Sequence, residues 1–353
     1  MRRLDPAGRR LVTRREWLAC SAALLGAACA RRDAGRAAAP RGGPDVPAID
    51  TVTGALPADR LGVTLMHEHV LVDFVGADRV SPARYDADHA FTTVLPHLRQ
   101  LRALGCDTLV ECTPAYLGRD PGLLKRLSEA SGIVILSNTG YYGAAKDKHL
   151  PAHAFTETPG QLAARWIREW ERGIDGTTVK PAFMKIGVDE GPLSDVDRKL
   201  VHAAAITHRE TGLPIASHTP TGAAALEQLD VLDRASVPLS AFVWVHAQSE
   251  RDHTFHTRAA TRGAWVEFDG ISPASVARHV DLVRQMKDER LLGRVLVSHD
   301  AGWYRVGEPG GGKFRPFDTL FTTFLPALKS AGLDEADIRQ LLVTNPRAAL
   351  CGI

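Results

Sequence analysis

Eight short apolar runs, each followed by a longer stretch of polar and apolar residues at helical spacing, constrain this chain more than any other feature. The runs fall at residues 63–69, 108–112, 133–139, 183–188, 214–218, 241–246, 265–269 and 295–300. They are rich in β-branched residues and almost continuously apolar, the composition of strands buried on both faces of a parallel sheet. Helical periodicity recurs between them, at 91–104, 159–172, 195–211, 222–234 and 273–289, with Gly or Pro at many junctions. Ser272 before Pro273 reads as a helix cap followed by a first-turn proline. Two further stretches, 317–331 and 334–342, complete the outer layer. Eight strand-then-helix units predict a single α/β domain closed into a (β/α)8 TIM barrel over residues 48–353.

The residues before that domain have a different character. Ten arginines precede residue 42, so the net charge of +2 over 353 residues leaves the barrel itself mildly acidic. A nucleic-acid partner would need a basic patch on the folded part, and the composition argues against one. Within "TRREWLACSAALLGAACA", paired Arg14 and Arg15 precede an apolar stretch too short to span a bilayer. Residues 1–30 therefore read as a twin-arginine export signal and 31–47 as a flexible tether, which predicts a location outside a bacterial cytoplasm. Cys29 stands where a lipoprotein signal places its acylated cysteine, while Gly26 stands where such signals usually carry Leu. A lipid anchor at Cys29 is thus left open. Beyond the leader only Cys106, Cys112 and Cys351 remain, with no close spacing. Neither a disulfide framework nor a thiolate metal cluster is expected, so any metal must be held by nitrogen and oxygen.

In a barrel of this kind the active site gathers where the strands end. Strand 1, "LGVTLMHEHV", ends in His67 and His69, which share a face while Glu68 points away. The fourth strand carries Lys185, the fifth ends in His218, the sixth in His246 and the eighth in Asp300. Singly each has an ordinary explanation: a hydrogen-bonded structural histidine, a capping aspartate, a lysine reaching for water. Together they would crowd imidazoles around one lysine and one carboxylate, a donor set suited to a divalent transition metal. Burial beside cations favours the neutral amine of Lys185, which can react with carbon dioxide to give a carbamate. A carbamate offers two anionic oxygens and can bridge two ions.

These residues resemble the phosphotriesterase family of the amidohydrolase superfamily, which includes phosphotriesterases and phosphotriesterase-like lactonases. The matching pieces are "GVTLMHEHV", "LGRD", "NTGYY", "FMKIGVDE", "ASHT", "VWVHAQ", "VLVSHD" and "VTNP", in the family's order from about residue 50 onward. The resemblance implies a binuclear centre in which His67, His69 and Asp300 hold the more buried metal and His218 and His246 the more exposed one. Carboxylated Lys185 and a hydroxide would bridge two divalent ions, zinc foremost, and Asp300 would also take the hydroxide's proton. It implies hydrolysis of a small-molecule ester and, by analogy with relatives, a homodimer.

Departures from the pattern bear on the substrate. Phosphotriesterases pass the proton from the strand-8 aspartate to a histidine past strand 7 and an aspartate past strand 6, but Gly270 and Ser249 stand there. Lactonases usually carry Arg at the place of Gly270, although Tyr142 matches their tyrosine near the metals. Tyr142, Trp303 and Asp269 are expected to contact substrate, with Trp303 and Tyr304 lining the pocket from a mobile, glycine-rich loop at 301–317. Carboxylic esters, lactones first, rank above phosphotriesters. Amide hydrolysis and a non-catalytic metal-binding role are the alternatives. His89, His97, His202, His208, His253, His256 and His279 read as surface residues, and His299 should point away from the barrel axis.

Overall fold

A computed structural model describes residues 47–352. The expected export signal, the tether and Cys29 lie outside the described residues. The chain enters through an antiparallel hairpin, β1 (Ala48–Thr51) and β2 (Gly54–Pro57). The barrel strands follow: β3 (Thr64–Val72), β4 (Thr108–Glu111), β5 (Val134–Leu136) with β6 (Asn138–Thr139), β7 (Phe183–Gly187), β8 (Ile215–His218), β9 (Phe242–Val245), β10 (Trp265–Phe268) and β11 (Val295–Val297). Each expected run carries its strand, with one of them broken in two at Ser137. A parallel ladder runs from β6 to β11 and a second from β3 to β5. The Ala182 amide donates to Ser137 O at 2.8 Å where the two ladders meet.

The outer layer is built from α1 (Ala87–Ala103), α2 (Pro121–Ser131), the short α3 (Ala152–Thr156), α4 (Pro159–Arg172), α5 (Asp195–Thr211), α6 (Gly222–Arg234), α7 (His253–Thr261) and α8 (Val276–Asp288). Local chemistry fixes their starts. Thr158 and Ser194 close reciprocal capping boxes with Gln161 and Asp197, and Asp120 accepts from the Leu123 amide ahead of Pro121. Such caps contribute about 1 kcal/mol each. The expected cap at Ser272 is not formed. Helix α8 starts later, at Val276, because the Ser275 hydroxyl is occupied by the Ser272 amide and by Gly270 O, so residues 272–275 make a turn.

One buried cluster lies between strands and helices and a smaller one fills the barrel interior, including Met66, Val110, Leu136, Phe183, Ala216, Val243 and Leu296. Strand alternation sorts side chains between them, and three local departures from alternation matter for the site. The β3–β4 register shifts between Leu65 and Glu68, so Met66 and His67 both serve the interior. His246 and Asp300 take left-handed backbone angles, φ 66° and 51°, which turn them inward past the ends of their strands. Each such residue costs roughly 1–3 kcal/mol, a strain that concentrates at functional sites.

The segment after β11 is not simply a loop. Residues Gly302–Arg305 form β12, parallel to the upper half of β3 with Gly302 opposite His69 and Tyr304 opposite Leu71. A Cβ at residue 302 would lie 1.8 Å from His69 O, so only glycine allows this approach. The alternation of β12 separates the two aromatics expected in the pocket. Tyr304 turns away, and its hydroxyl pairs with His89 Nδ1 at 2.9 Å.

Candidate metal centre

All six side chains singled out at the strand ends meet on one cavity of about 100 Å³: His67, His69, Lys185, His218, His246 and Asp300. His67 Nε2 and His69 Nε2 are 3.2 Å apart, and Asp300 Oδ1 lies 3.2 Å from the latter and 3.8 Å from the former. Ligands at about 2.0–2.1 Å around a tetrahedral zinc would be separated by roughly 3.3 Å, so this spacing fits one ion among the three. The His218 and His246 rings approach to 4.5 Å on the other side, and His246 lies 5.0 Å from His67. Lys185 is 2% exposed, with Nζ 5.6 Å above the Tyr142 ring.

Hydrogen bonds at the backs of the imidazoles orient them. His69 Nδ1 pairs at 2.8 Å with the Thr113 hydroxyl, which donates in turn to buried Glu111. His246 Nδ1 donates to Asp269 Oδ1 at 2.6 Å, and His218 Nδ1 shares a hydrogen bond of 3.1 Å with the Tyr142 hydroxyl. In each case the other ring nitrogen is left to a ligand, the arrangement that fixes metal-binding histidines. Burial, followed by the Lys185 charge, holds His67 well below the usual imidazole range. Burial and neighbouring His246 do the same for His218. Both rings are neutral near pH 7, the form a cation requires. Burial would raise Asp300, but its bond with His69 and the neighbouring imidazoles and Arg315 bring it below the ordinary carboxyl range.

Two of the residues expected to contact substrate lie on the cavity, Tyr142 and Trp303. Asp269 does not. It is fully buried behind His246, accepting from that residue's ring and amide and from Gln248. A carboxylate aimed at the back of an imidazole is a positioning group, and strand alternation alone could not distinguish the back of the ring from the cavity. Nor do His256 and His279 lie on the surface. They are 1% and 2% exposed because their rings bond the carbonyls of Ala247 and Asp269, stitching helices to the strand ends.

Sequence reasoning missed Glu68, Glu111, Thr113 and Phe74. Glu68, between the two histidines, accepts from the Ser298 hydroxyl, the His299 amide, His299 Nδ1 and the Ala301 amide at 2.7–3.0 Å. It therefore holds the backbone on both sides of Asp300. His299 does point away from the axis, as expected, and its Nε2 accepts from the Leu320 amide. The signal was the placement of a charged residue on the outward face of a fully buried strand.

Comparison with known proteins agrees with this geometry. The family model for the phosphotriesterase family matches residues 47–350. The phosphotriesterase homology protein of Escherichia coli K12 is 32% identical over 292 residues, covering 82% of this chain and 97% of that protein. An aryldialkylphosphatase of Saccharolobus solfataricus is 26% identical over 81% of this chain and 94% of its own length. Among solved structures, a mutant phosphotriesterase-like lactonase of Deinococcus radiodurans superposes with a TM-score of 0.76 at 28% identity, covering 86% of this chain and 99% of that one. The barrel, the strand-end constellation and these matches together show that the chain belongs to the phosphotriesterase family.

Proposed function

We propose that this family member is a two-metal hydrolase of carboxylic esters, lactones included, with phosphotriesters as slower substrates. The observation that carries the reading is the convergence of four histidines, a buried lysine and an aspartate on one small cavity. His67, His69 and Asp300 would hold one ion, His218 and His246 the second, and Lys185 as a carbamate would join them. When bound, such ions lower the pKa of water toward neutrality and polarise an ester oxygen.

The chain's own residues supply the remainder. Asp300, already low in pKa, is the proton acceptor closest to the imidazole pair. Asp269, Thr113 with Glu111, and Tyr142 hold the rings at fixed orientations. Val72, Pro114 and Leu117 line the cavity and exclude water.

The ranking of esters rests on what surrounds Asp300. Among the described residues its side chain reaches imidazoles only at His67 and His69. Gly270 offers no side chain to take the proton onward, and Ser249 lies in the short turn Ala247–Ser249. The test is a panel of lactones and acyclic esters beside an aryl dialkyl phosphate, run on protein of measured zinc, cobalt and manganese content. Faster phosphotriester turnover reverses the ranking; no turnover with two ions bound per chain removes the reading. On the same reading the twin-arginine leader delivers the enzyme outside the cytoplasm, where the assay on exported and retained protein would be compared.

A further inference from the structure

On the far side of the cavity wall lies a cleft that the metal centre does not use. Its volume is about 540 Å³, within the range of small-molecule sites. One thickness of chain separates the two spaces. Val72, Phe74, Pro114 and Leu117 line the metal cavity, while their neighbours in sequence Asp73, Ala115, Tyr116 and Gly118 line the cleft. The Asp73 amide donates to Leu117 O at 2.7 Å. A Cβ at residue 118 would lie 2.9 Å from that amide nitrogen, so the partition leaves no room for a side chain there.

Aromatic rings and carboxylates make the walls. Tyr116 and Tyr141 stand nearly perpendicular, at 72° with centroids 5.4 Å apart, and Tyr85 lines the same space. Tyr116 takes a left-handed backbone, φ 65°, a strain at a residue that does not line the metal cavity. Elsewhere in the described residues six aromatic rings, Trp303 and Tyr142 among them, carry a lysine or arginine 4.8–5.8 Å from their centroids. Among the described residues no such cation stands over the three cleft tyrosines.

Charge decides what these rings can hold. Asp73, Asp120, Glu169 and Asp175 line the cleft. The one lysine or arginine on its wall among the described residues, Arg119, is 1% exposed and turned onto Glu169 and Asp175. With Arg84, which pairs with Asp73, four carboxylates stand against two guanidinium groups. The cleft therefore favours a cation. Hydrogen bonds decide which kind. Seven of the eight carboxylate oxygens already accept from the chain: both of Asp73 (Val75 amide, Arg84), both of Asp120 (Leu123 amide, Tyr85 hydroxyl), and both of Glu169 and one of Asp175 (Arg119). A metal ion or a primary ammonium needs such oxygens free. A quaternary ammonium donates no hydrogen bond and is stabilised by ring faces and surrounding charge.

We infer that this cleft is a binding site for a small quaternary ammonium ion, distinct from the metal centre. The inference depends on no part of the hydrolase reading, since turnover does not enter its test. Choline, its uncharged isostere with carbon in place of nitrogen, ethanolamine and glycine betaine are titrated by calorimetry at constant ionic strength against metal-free and metal-loaded protein. The variants are Tyr116→Leu, which removes a ring and keeps bulk, and Asp120→Asn, which removes a charge and keeps a helix-capping side chain. Thermal unfolding of each is followed in parallel.

Choline should bind at a single site per chain, about tenfold or more tighter than the isostere or ethanolamine. Betaine, whose carboxylate meets the surplus negative charge, should bind more weakly than choline. Each variant should weaken choline about fivefold or more with its unfolding temperature retained. Co-sedimentation with phosphatidylcholine vesicles separates the sources: vesicle binding that Tyr116→Leu abolishes names a lipid headgroup, and choline binding without it names a free solute. No saturable choline binding, equal binding of the isostere, or full choline affinity in either folded variant overturns the inference. So does binding that Trp303→Phe abolishes and Tyr116→Leu spares, which would place the ion in the metal cavity.

Discussion

Glu68 and Glu267 are both fully buried and both serve the surroundings of His67, yet they are built in opposite ways. Glu68 faces outward across the seam where β3 meets β11 and is saturated by four donors. Glu267 faces inward from β10, with Oε1 lacking a partner and Oε2 3.8 Å from His67 Nδ1, which is itself unpartnered. Burial, reinforced by Asp269, pushes the Glu267 carboxyl well above its ordinary range. A carboxylate can be kept charged in a protein interior only if its lone pairs are met, and the seam meets them where the interior position, favouring the neutral acid, does not. The lesson is that the barrel is locked where Asp300 must be aimed and left unpaired beneath the strand-end histidines.

The largest effect should come from what the seam delivers. On the proposed mechanism Asp300→Asn removes both a ligand and the proton acceptor, and it should lower kcat by about 10²–10⁴-fold, with the fold retained by circular dichroism. Replacing Glu68 with Gln probes the lock itself. An amide cannot accept from every donor now facing that carboxylate, so stability should fall by about 3–5 kcal/mol in urea unfolding, and metal affinity by about 10–100-fold. If Glu68→Gln keeps both, the seam is not what aims Asp300.

Asp269→Asn separates ring orientation from the seam. It should weaken metal binding by about 10–100-fold with little loss of melting temperature, measured by competition with a chelator. A pH experiment on metal-free protein calibrates burial at a distance from both carboxylates. Burial lowers His256 to about 4 from an ordinary 6.5. Its neutral form is therefore the folded form, so the contribution is complete above about pH 6.5 and is lost as pH falls toward 4. His256→Gln should flatten that part of the curve of melting temperature against pH. The smallest effect belongs to Glu267→Gln: a neutral amide in place of an acid whose neutral form burial favours should change stability by less than about 1 kcal/mol. A loss as large as that at Glu68 would erase the distinction between the two positions.

How far the sequence could be read follows the same division between satisfied and unsatisfied groups. Strands buried on both faces announce themselves by composition, and helices with side-chain caps do so by spacing, which is why α4, α5 and α6 begin and end at the residues their periodicity indicates. The six strand-end residues were legible because barrel geometry converges them whatever the loops do. Partners across the fold were not. That Glu68 reaches residues 298–301, or that Asp269 lies behind His246, depends on contacts separated by 23–233 positions, on which local pattern is silent. Strand β12 was hidden for another reason. Its sequence, GWYR, sits among glycines that suggest a loop, and only pairing with β3 makes it a strand.

That pairing has a practical corollary for altering the enzyme. Gly302 sits on the rung occupied by His69 and the next residue, Trp303, lies on the same cavity, so the cavity wall and the placement of His69 share one mechanical part. Lengthening or shortening that stem would disturb both at once. Changes meant to spare both belong instead in residues 307–313, past the Val306 amide that makes the last bond to β3 and away from the cavity wall.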